Sequence, residues 1–303
     1  MDSKFLKGKK YIDLTSYFNK NNISENDLKI DSENKIEYND EIYYLKEIKT
    51  DLNTLYCELI AVKLLDKLNI PHVKYYLADF FGKSCLMSES FKKEGNSYIS
   101  GEKILEDYRN AIKKKYQLSD MNNLETIWNA LSYRYNSIYG KGNYIKDVAK
   151  LMNQLTTVIS FDIVTDNEDR YYSNWVVEEG INHISLSKMF DNEYMLNSYL
   201  DDESLNSFAL GIYPEDTEHF INYVDVIKKY IRDSSSEFIN KLIMVYNTLS
   251  IDVFLQCIKE IEEEFQFIIP SENRQLIINS YKKHYELLGQ ILNDYQLHPS
   301  RLI

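Results

Sequence analysis

Three oxygen-bearing side chains, Asp169, Asn174 and Asp191, are spaced so that one fold element can bring them together. Asp169 and Asn174 share a polar loop, and a hairpin of two β-prone runs, Asn174–Glu178 and His183–Ser187, separates them from Asp191. Because antiparallel strands return to where they started, Asn174 and Asp191 should lie at one open end, with Asp169 facing the same rim. Amide and carboxylate oxygens suit Mg²⁺, and the remaining carboxylate could orient a hydroxyl nucleophile.

A lysine and a glutamate that serve the same chemistry occur earlier in the chain. Lys46 lies inside a β-prone run, and Glu58 lies on the following helix within the apolar stretch Leu55–Ile60. Burying either charge alone is costly, and pairing the two removes much of that cost. Phosphoryl transfer needs such parts, because a lysine steadied by a glutamate holds the phosphates while a carboxylate accepts the proton of the attacking hydroxyl.

The elements that must position these residues form a small sheet followed by helices. The sequence predicts β-strands and one helix in the order Lys35–Tyr38, Glu41–Ile48, helix Leu52–Leu68, Val73–Phe80 and Ser84–Glu89. The polar stretch Lys92–Gly101 is typical of a linker. Helical patterns then cover residues 102–116, 122–137, 145–165, 216–232, 236–248, 251–265 and 272–293. We therefore expect an α+β fold with a β-rich N-lobe over residues 1–90 and a mainly helical C-lobe over residues 91–303.

Composition narrows the class of protein. The net charge of −12 argues against a general nucleic-acid binder, which needs a basic footprint. The three cysteines are far apart and form no disulfide framework, which favours a reducing compartment. The N-terminus has no apolar signal segment, and no run reaches the ~18 apolar residues of a membrane span. We expect a cytoplasmic protein without nucleic-acid or membrane partners, although the sequence would not reveal a signal-less export route.

The order and spacing of these motifs, from about residue 28 to residue 196, resemble the HipA-like branch of the protein-kinase-like fold. That family has a strand lysine, a helix glutamate, a D-R-H-x-x-N catalytic loop and a later metal-binding aspartate. The corresponding segments here are LKE at Leu45–Glu47, CELIA at Cys57–Ala61, LMSES at Leu86–Ser90, NEDRYYSNW at Asn167–Trp175 and MFDN at Met189–Asn192. The C-terminal helices match the family only as a helical lobe.

The resemblance implies a role for each candidate residue. Asp169 would be the catalytic base, and Asn174 and Asp191 would bind Mg²⁺. Lys46 would hold the phosphates of ATP, and Glu58 would pair with Lys46.

The same resemblance implies the remaining binding site and the activity. Met87, Ser88 and Glu89 would form the hinge at which adenine binds. The implied protein is an ATP- and Mg²⁺-dependent kinase that transfers the γ-phosphoryl group to a protein serine or threonine, with autophosphorylation as a further reaction. It would act on a protein substrate, and some family members have an antitoxin or regulatory partner.

Three departures from the family pattern keep two alternatives open. Tyr171 replaces the histidine of the loop, Glu193 replaces a glycine common two residues after the metal-binding aspartate, and the phosphate-covering run Lys29–Lys35 has no glycine. One alternative, which also follows from the lack of a recognisable protein-substrate platform in the sequence, is a small-molecule or lipid-headgroup kinase on a related fold. The other is a pseudokinase that binds nucleotide and serves as an interaction module.

Overall fold

A computed structural model describes most of the chain. The described residues are 3–25, 34–48, 52–112, 124–140, 144–167, 170, 172–181, 183–196 and 235–297. The helix predicted over residues 216–232 lies outside them.

Five strands form a mixed sheet near the N-terminus, in the spatial order β1-β4-β5-β3-β2. Their bounds are β1 Ile12–Asp13, β2 Lys35–Tyr38, β3 Glu41–Glu47, β4 Tyr75–Phe80 and β5 Lys83–Glu89. The β2–β3 turn has φ angles of 52° at Asn39 and 62° at Asp40, the left-handed values that a two-residue hairpin requires. The predicted order of strand, strand, helix, strand, strand is confirmed, and β1, which pairs parallel to β4, is an addition.

The two faces of the sheet are covered by different helices. Helix α1, Leu14–Lys20, begins at the N-cap Asp13, whose side chain accepts a hydrogen bond of 2.8 Å from the backbone N–H of Ser16. Its side of the sheet has its own apolar cluster, to which Met87 belongs. Leu86, the neighbour of Met87 on β5, points to the opposite face and joins the main core beneath α2, Leu52–Lys67.

The rest of the described chain is mainly helical. Its helices are α3 Gly101–Ile112, α4 Leu124–Tyr139, α5 Tyr144–Thr165, α6 Ser236–Thr248, α7 Ile251–Glu264 and α8 Ser271–Leu297. Helix α2 contacts both α7 and α8, so the main core continues from the sheet into the helical part. The protein thus has the predicted α+β architecture, with the sheet before the helices. The lobe boundary at residue 90 stays a prediction.

A second, three-stranded sheet corrects the linker prediction. Strand β6, Ser97–Ser100, lies inside the segment predicted as a linker and pairs antiparallel with β7, Val176–Glu179, which pairs with β8, Ile184–Leu186. The β-prone pair Tyr98-Ile99 gives this polar segment enough strand preference to extend the predicted hairpin. The connection between the two parts is therefore tied to the β7–β8 hairpin.

The helices were also compared with the requirements of a membrane span. Within the described ranges, no single helix is both long and apolar enough to cross a bilayer. Helices α6 and α7 meet the length and composition criteria only as a pair, and they are bent by 57° at the break between them.

Candidate functional site

An open cleft of about 480 Å³ lies where the five-stranded sheet meets the helical part. Strands β3 and β5, helix α2 and the segment after β8 all contribute to its wall. The lining residues are Asn34, Tyr44, Leu45, Lys46, Glu58, Val73, Tyr75, Leu86, Ser88, Glu89, Phe91, Lys92, Phe190 and Asp191. The cleft therefore brings together five residues that the sequence predicts from distant segments, namely Lys46, Glu58, Ser88, Glu89 and Asp191.

Lys46 lies between two carboxylates of the segment that follows β8. Its Nζ is 2.9 Å from Oδ1 of Asp191 and 2.8 Å from Oε2 of Glu193. Burial lowers the pKa of Lys46, but the charges and hydrogen bonds of the two carboxylates outweigh it and raise that pKa. The lysine is therefore a positive charge in the cleft at neutral pH.

Glu58 is buried in α2, with 3% of its surface exposed, and does not form the predicted ion pair with Lys46 in this structure. One oxygen of the carboxylate, Oε2, instead accepts a hydrogen bond from the backbone N–H of Asn192. Burial and the charge of Asp191 raise the pKa of Glu58 to about 7. Lys46 and Glu58 do not pair because each has other partners. Lys46 contacts the less buried carboxylates of Asp191 and Glu193, and Glu58 accepts the backbone N–H of Asn192.

The β7–β8 hairpin brings Asn174 and Asp191 to the same end, as its topology predicts. Asn174 ends a short 3₁₀ turn just before β7, and the Ser187 N–H donates to the Val176 carbonyl at 2.8 Å. The guanidinium of Arg170 then joins the two chain segments, because one nitrogen donates to the Asn174 carbonyl at 3.0 Å and to the Phe190 carbonyl at 3.2 Å. The side-chain oxygens of Asn174 and Asp191 suit Mg²⁺, and the binding of a metal by these two residues stays a prediction.

A buried ion pair that the sequence analysis missed fixes this end of the hairpin. Arg170 binds Asp162 of α5 through two nitrogens, at 3.1 and 3.2 Å, and both side chains are at most 1% exposed. Arg170 also donates to Oδ1 of Asn192, and Asn167 donates to Asp162 at 2.8 Å. Burial raises the pKa of Asp162, and Arg170 and Asn167 offset only part of that rise. The signal in the sequence was a lone aspartate within the apolar end of a helix.

Two of the three residues predicted as the hinge line the cleft, and the third does not. Ser88 and Glu89 line the cleft, but the fully buried side chain of Met87 points to the opposite face of the sheet, and its backbone is paired to β3 and β4. Phe91, which was not predicted, lines the cleft beside Phe190, and their rings stack with centroids 5.1 Å apart. Met87 therefore contributes to the core rather than to the cleft wall.

Two residues of the loop lie outside the described residues. They are Asp169, the predicted base, and Tyr171, which stands where the family has histidine. Their neighbours Asn167 and Arg170 are both bound to Asp162, so the loop is anchored on either side of Asp169. In the described part of the chain, no group of three or more His, Cys, Asp or Glu side chains is placed to hold a metal ion.

Comparison with known proteins places the fold. No protein-family model matches the sequence, and no curated protein matches it. The structure is similar to the proinflammatory kinase CtkA of Helicobacter pylori, with a TM-score of 0.62, 15% identity, and coverage of 88% of this chain and 94% of that one. It is also similar to HipA of Shewanella oneidensis MR-1, solved in a toxin–antitoxin complex with HipB and operator DNA. That match has a TM-score of 0.58 and 12% identity, and it covers 88% of this chain but only 65% of HipA. The chain therefore has a HipA-like kinase fold.

Proposed function

We propose that this protein is an ATP- and Mg²⁺-dependent kinase that transfers the γ-phosphoryl group to a serine or threonine hydroxyl of a protein. The observation that carries the proposal is a contact in the cleft. The Nζ of Lys46 lies 2.9 Å from Oδ1 of Asp191, although the two residues are 145 positions apart in the chain. A fixed cation beside an oxygen ligand is what binding of a metal-bound triphosphate requires. The kinase fold of the similar structures supports the same conclusion.

Each residue has a distinct role in the proposed reaction. Lys46 binds phosphate oxygens of ATP, and Asn174 and Asp191 hold Mg²⁺, which when bound neutralises developing charge on the phosphates. Asp169 orients the acceptor hydroxyl and takes its proton as the new P–O bond forms and ADP leaves. Ser88 and Glu89 belong to the hinge beside which the adenine ring lies, with Met87 supporting them from the core.

The acceptor and the partners are also part of the proposal. We infer a protein substrate, autophosphorylation as a further reaction, a cytoplasmic location and an antitoxin-like or regulatory partner. The last point is supported by the structure of HipA in a complex with HipB.

A substitution at the base tests the activity directly. Asp169→Asn keeps the size of the side chain but removes its basicity, so phosphoryl transfer should fall by about 10²–10⁴-fold. The affinity for nucleotide should change far less, because Lys46 and the metal-binding residues remain. Both quantities are measured on one preparation, with labelled ATP and Mg²⁺ in the presence and absence of a cell lysate, and with Asp294→Asn on the exposed side of α8 as the matched control.

The outcomes separate the proposal from its rivals. Transfer by Asp169→Asn within a few-fold of wild type would remove Asp169 from the mechanism. Nucleotide binding without transfer to any acceptor would instead favour a pseudokinase, the alternative that Tyr171 and the glycine-free run Lys29–Lys35 support. Labelling of small molecules or lipids but of no protein would favour the other kinase class.

A further inference from the structure

The segment that follows β8 alternates its side chains between the cleft and the core. Asp191 and Glu193 both reach the Nζ of Lys46, whereas Asn192 between them is fully buried and accepts a hydrogen bond from Arg170. The backbone of Asp191 has a φ of 56°, a left-handed turn that orients this alternation. Two carboxylates two residues apart are thereby presented to one lysine.

Glu193 is suited to holding that lysine in place. Its side chain is 12% exposed, against 34% for Asp191, so its contact with Lys46 lies deeper in the protein. A proposed metal ligand cannot also serve fully as the lysine's partner once Mg²⁺ is bound, because the metal competes for the same carboxylate oxygens. Glu193 therefore remains as the partner when Asp191 is engaged.

Glu58 has a different set of contacts. Its carboxylate accepts a hydrogen bond from the backbone N–H of Asn192, and the nearby hydroxyl of Tyr75 accepts one of 3.3 Å from the backbone N–H of Asp191. A small cavity of about 20 Å³, lined by Lys46, Glu58 and Glu193 among others, lies beside these side chains. Glu58 thus holds the backbone of the segment that follows β8, at Asn192, rather than the ammonium group of Lys46.

We propose that Glu193 is the positioning residue for Lys46, and that Glu58 acts as a positioning residue for the backbone of the Asp191–Asn192 segment. This inference rests on the proposed kinase function. Its consequence is that Lys46 of β3 is held by the segment that follows β8, which carries Asp191 and Glu193, and not by helix α2 as the sequence predicts. A substrate-bound arrangement of Lys46 would then depend on the segment that also carries the metal ligand.

A double-mutant cycle on transfer tests the exchange of partners. Glu193→Gln should lower kcat about tenfold through mispositioning of Lys46. It should not weaken nucleotide binding, because it removes a negative charge beside the phosphate site. In a Lys46→Met background, the same substitution should change kcat by less than about twofold, since its target is gone. Glu58→Gln should instead have the same fold-effect in both backgrounds, because it acts through Asn192.

A control substitution and the stability of nucleotide-free protein complete the test. Glu263→Gln, at an exposed position of α7, is the matched control for loss of one negative charge, and it should leave kcat and nucleotide affinity unchanged. The same cycles are measured on the denaturation midpoint of nucleotide-free protein, where the Lys46–Glu193 coupling should exceed the Lys46–Glu58 coupling. An equal kcat loss for Glu193→Gln in both backgrounds, or a larger Lys46–Glu58 coupling, would overturn the inference. Absence of nucleotide binding and transfer in the wild type would count against the kinase proposal, while the denaturation cycles would still decide the partner of Lys46.

Discussion

At the scale of single residues, the burial of Glu58 predicts a pH-dependent stability. Its folded-state pKa of about 7 exceeds the ordinary value of 4.5 for an unfolded chain. The protonated form is therefore favoured by folding, so its stabilising contribution is complete below pH 4.5 and is lost as the pH rises toward 7. A shift of this size corresponds to roughly 3 kcal/mol. The free energy of unfolding of metal-free wild type should fall by about that amount between pH 4.5 and 7, relative to Glu58→Gln.

The glutamine variant is the reference because it keeps a neutral side chain of similar shape at every pH. Denaturant titrations of both proteins across this range give the difference, and pH effects shared with other groups cancel. Parallel pH profiles for the two proteins would show that Glu58 is not the titrating group.

The residues of the cleft were predictable to different extents. Lys46 and Asp191 follow from local patterns, because one lies in a β-prone run and the other directly follows a hairpin. The contact of Glu193 with Lys46 was not predictable, since it depends on the left-handed turn at Asp191 and on the approach of two distant segments. Met87 was assigned to the hinge because the segment LMSES at Leu86–Ser90 resembles that of the family, and the alternation of β5 places its side chain on the other face.

At the scale of elements, the ion pair between Arg170 and Asp162 predicts how firmly the loop before β7 is held to α5. Asp162→Asn should destabilise the protein by about 3–5 kcal/mol, because it leaves a buried guanidinium without its counter-charge. The guanidinium also binds the carbonyls of Asn174 and Phe190, so loss of its position should weaken Mg²⁺-dependent nucleotide binding as well. Chemical denaturation and nucleotide titration measure the two effects.

An exposed ion pair of α3 provides the comparison. The Nζ of Lys103 lies 3.0 Å from Oε2 of Glu106, and about half of each side chain is exposed, so Glu106→Gln should destabilise the protein far less than Asp162→Asn. Similar losses for Asp162→Asn and Glu106→Gln would mean that the buried pair does not anchor the loop.

Long elements were easier to predict than short ones. Helices α6 and α7 were predicted nearly to the residue, because their apolar positions recur over several turns. Strand β1 has two residues and β6 has four, so neither offers enough positions for a period to emerge. Both exist because a neighbouring strand supplies the hydrogen bonds, which is a tertiary effect.

At the scale of the whole molecule, one apolar core runs from the five-stranded sheet into the helical part. Ten of the sixteen residues of α2 are buried, since the helix lies between the sheet on one side and α7 and α8 on the other. The ring of Tyr56 packs 5.7 Å from that of Phe267, and Lys67 forms an ion pair of 2.8 Å with Glu260. The surface that α2 presents to the helical part is therefore large and mostly apolar.

A fragment of residues 1–90 should consequently fail to fold alone, although it contains the whole five-stranded sheet. Separated from α7 and α8, it would expose the apolar face of α2 to water, at roughly 25 cal/mol for each Å² of apolar surface. In the full chain, the fluorescence of Trp128 and Trp175, both beyond residue 90, should follow the same denaturation curve as far-ultraviolet circular dichroism. The fragment should show poor amide dispersion by NMR and no cooperative transition. The opposite result would be a dispersed spectrum and a cooperative transition in the fragment, together with two separate transitions in the full chain. It would establish residues 1–90 as an independent domain. The contacts of α2 with α7 and α8 would then be only a docking interface between lobes.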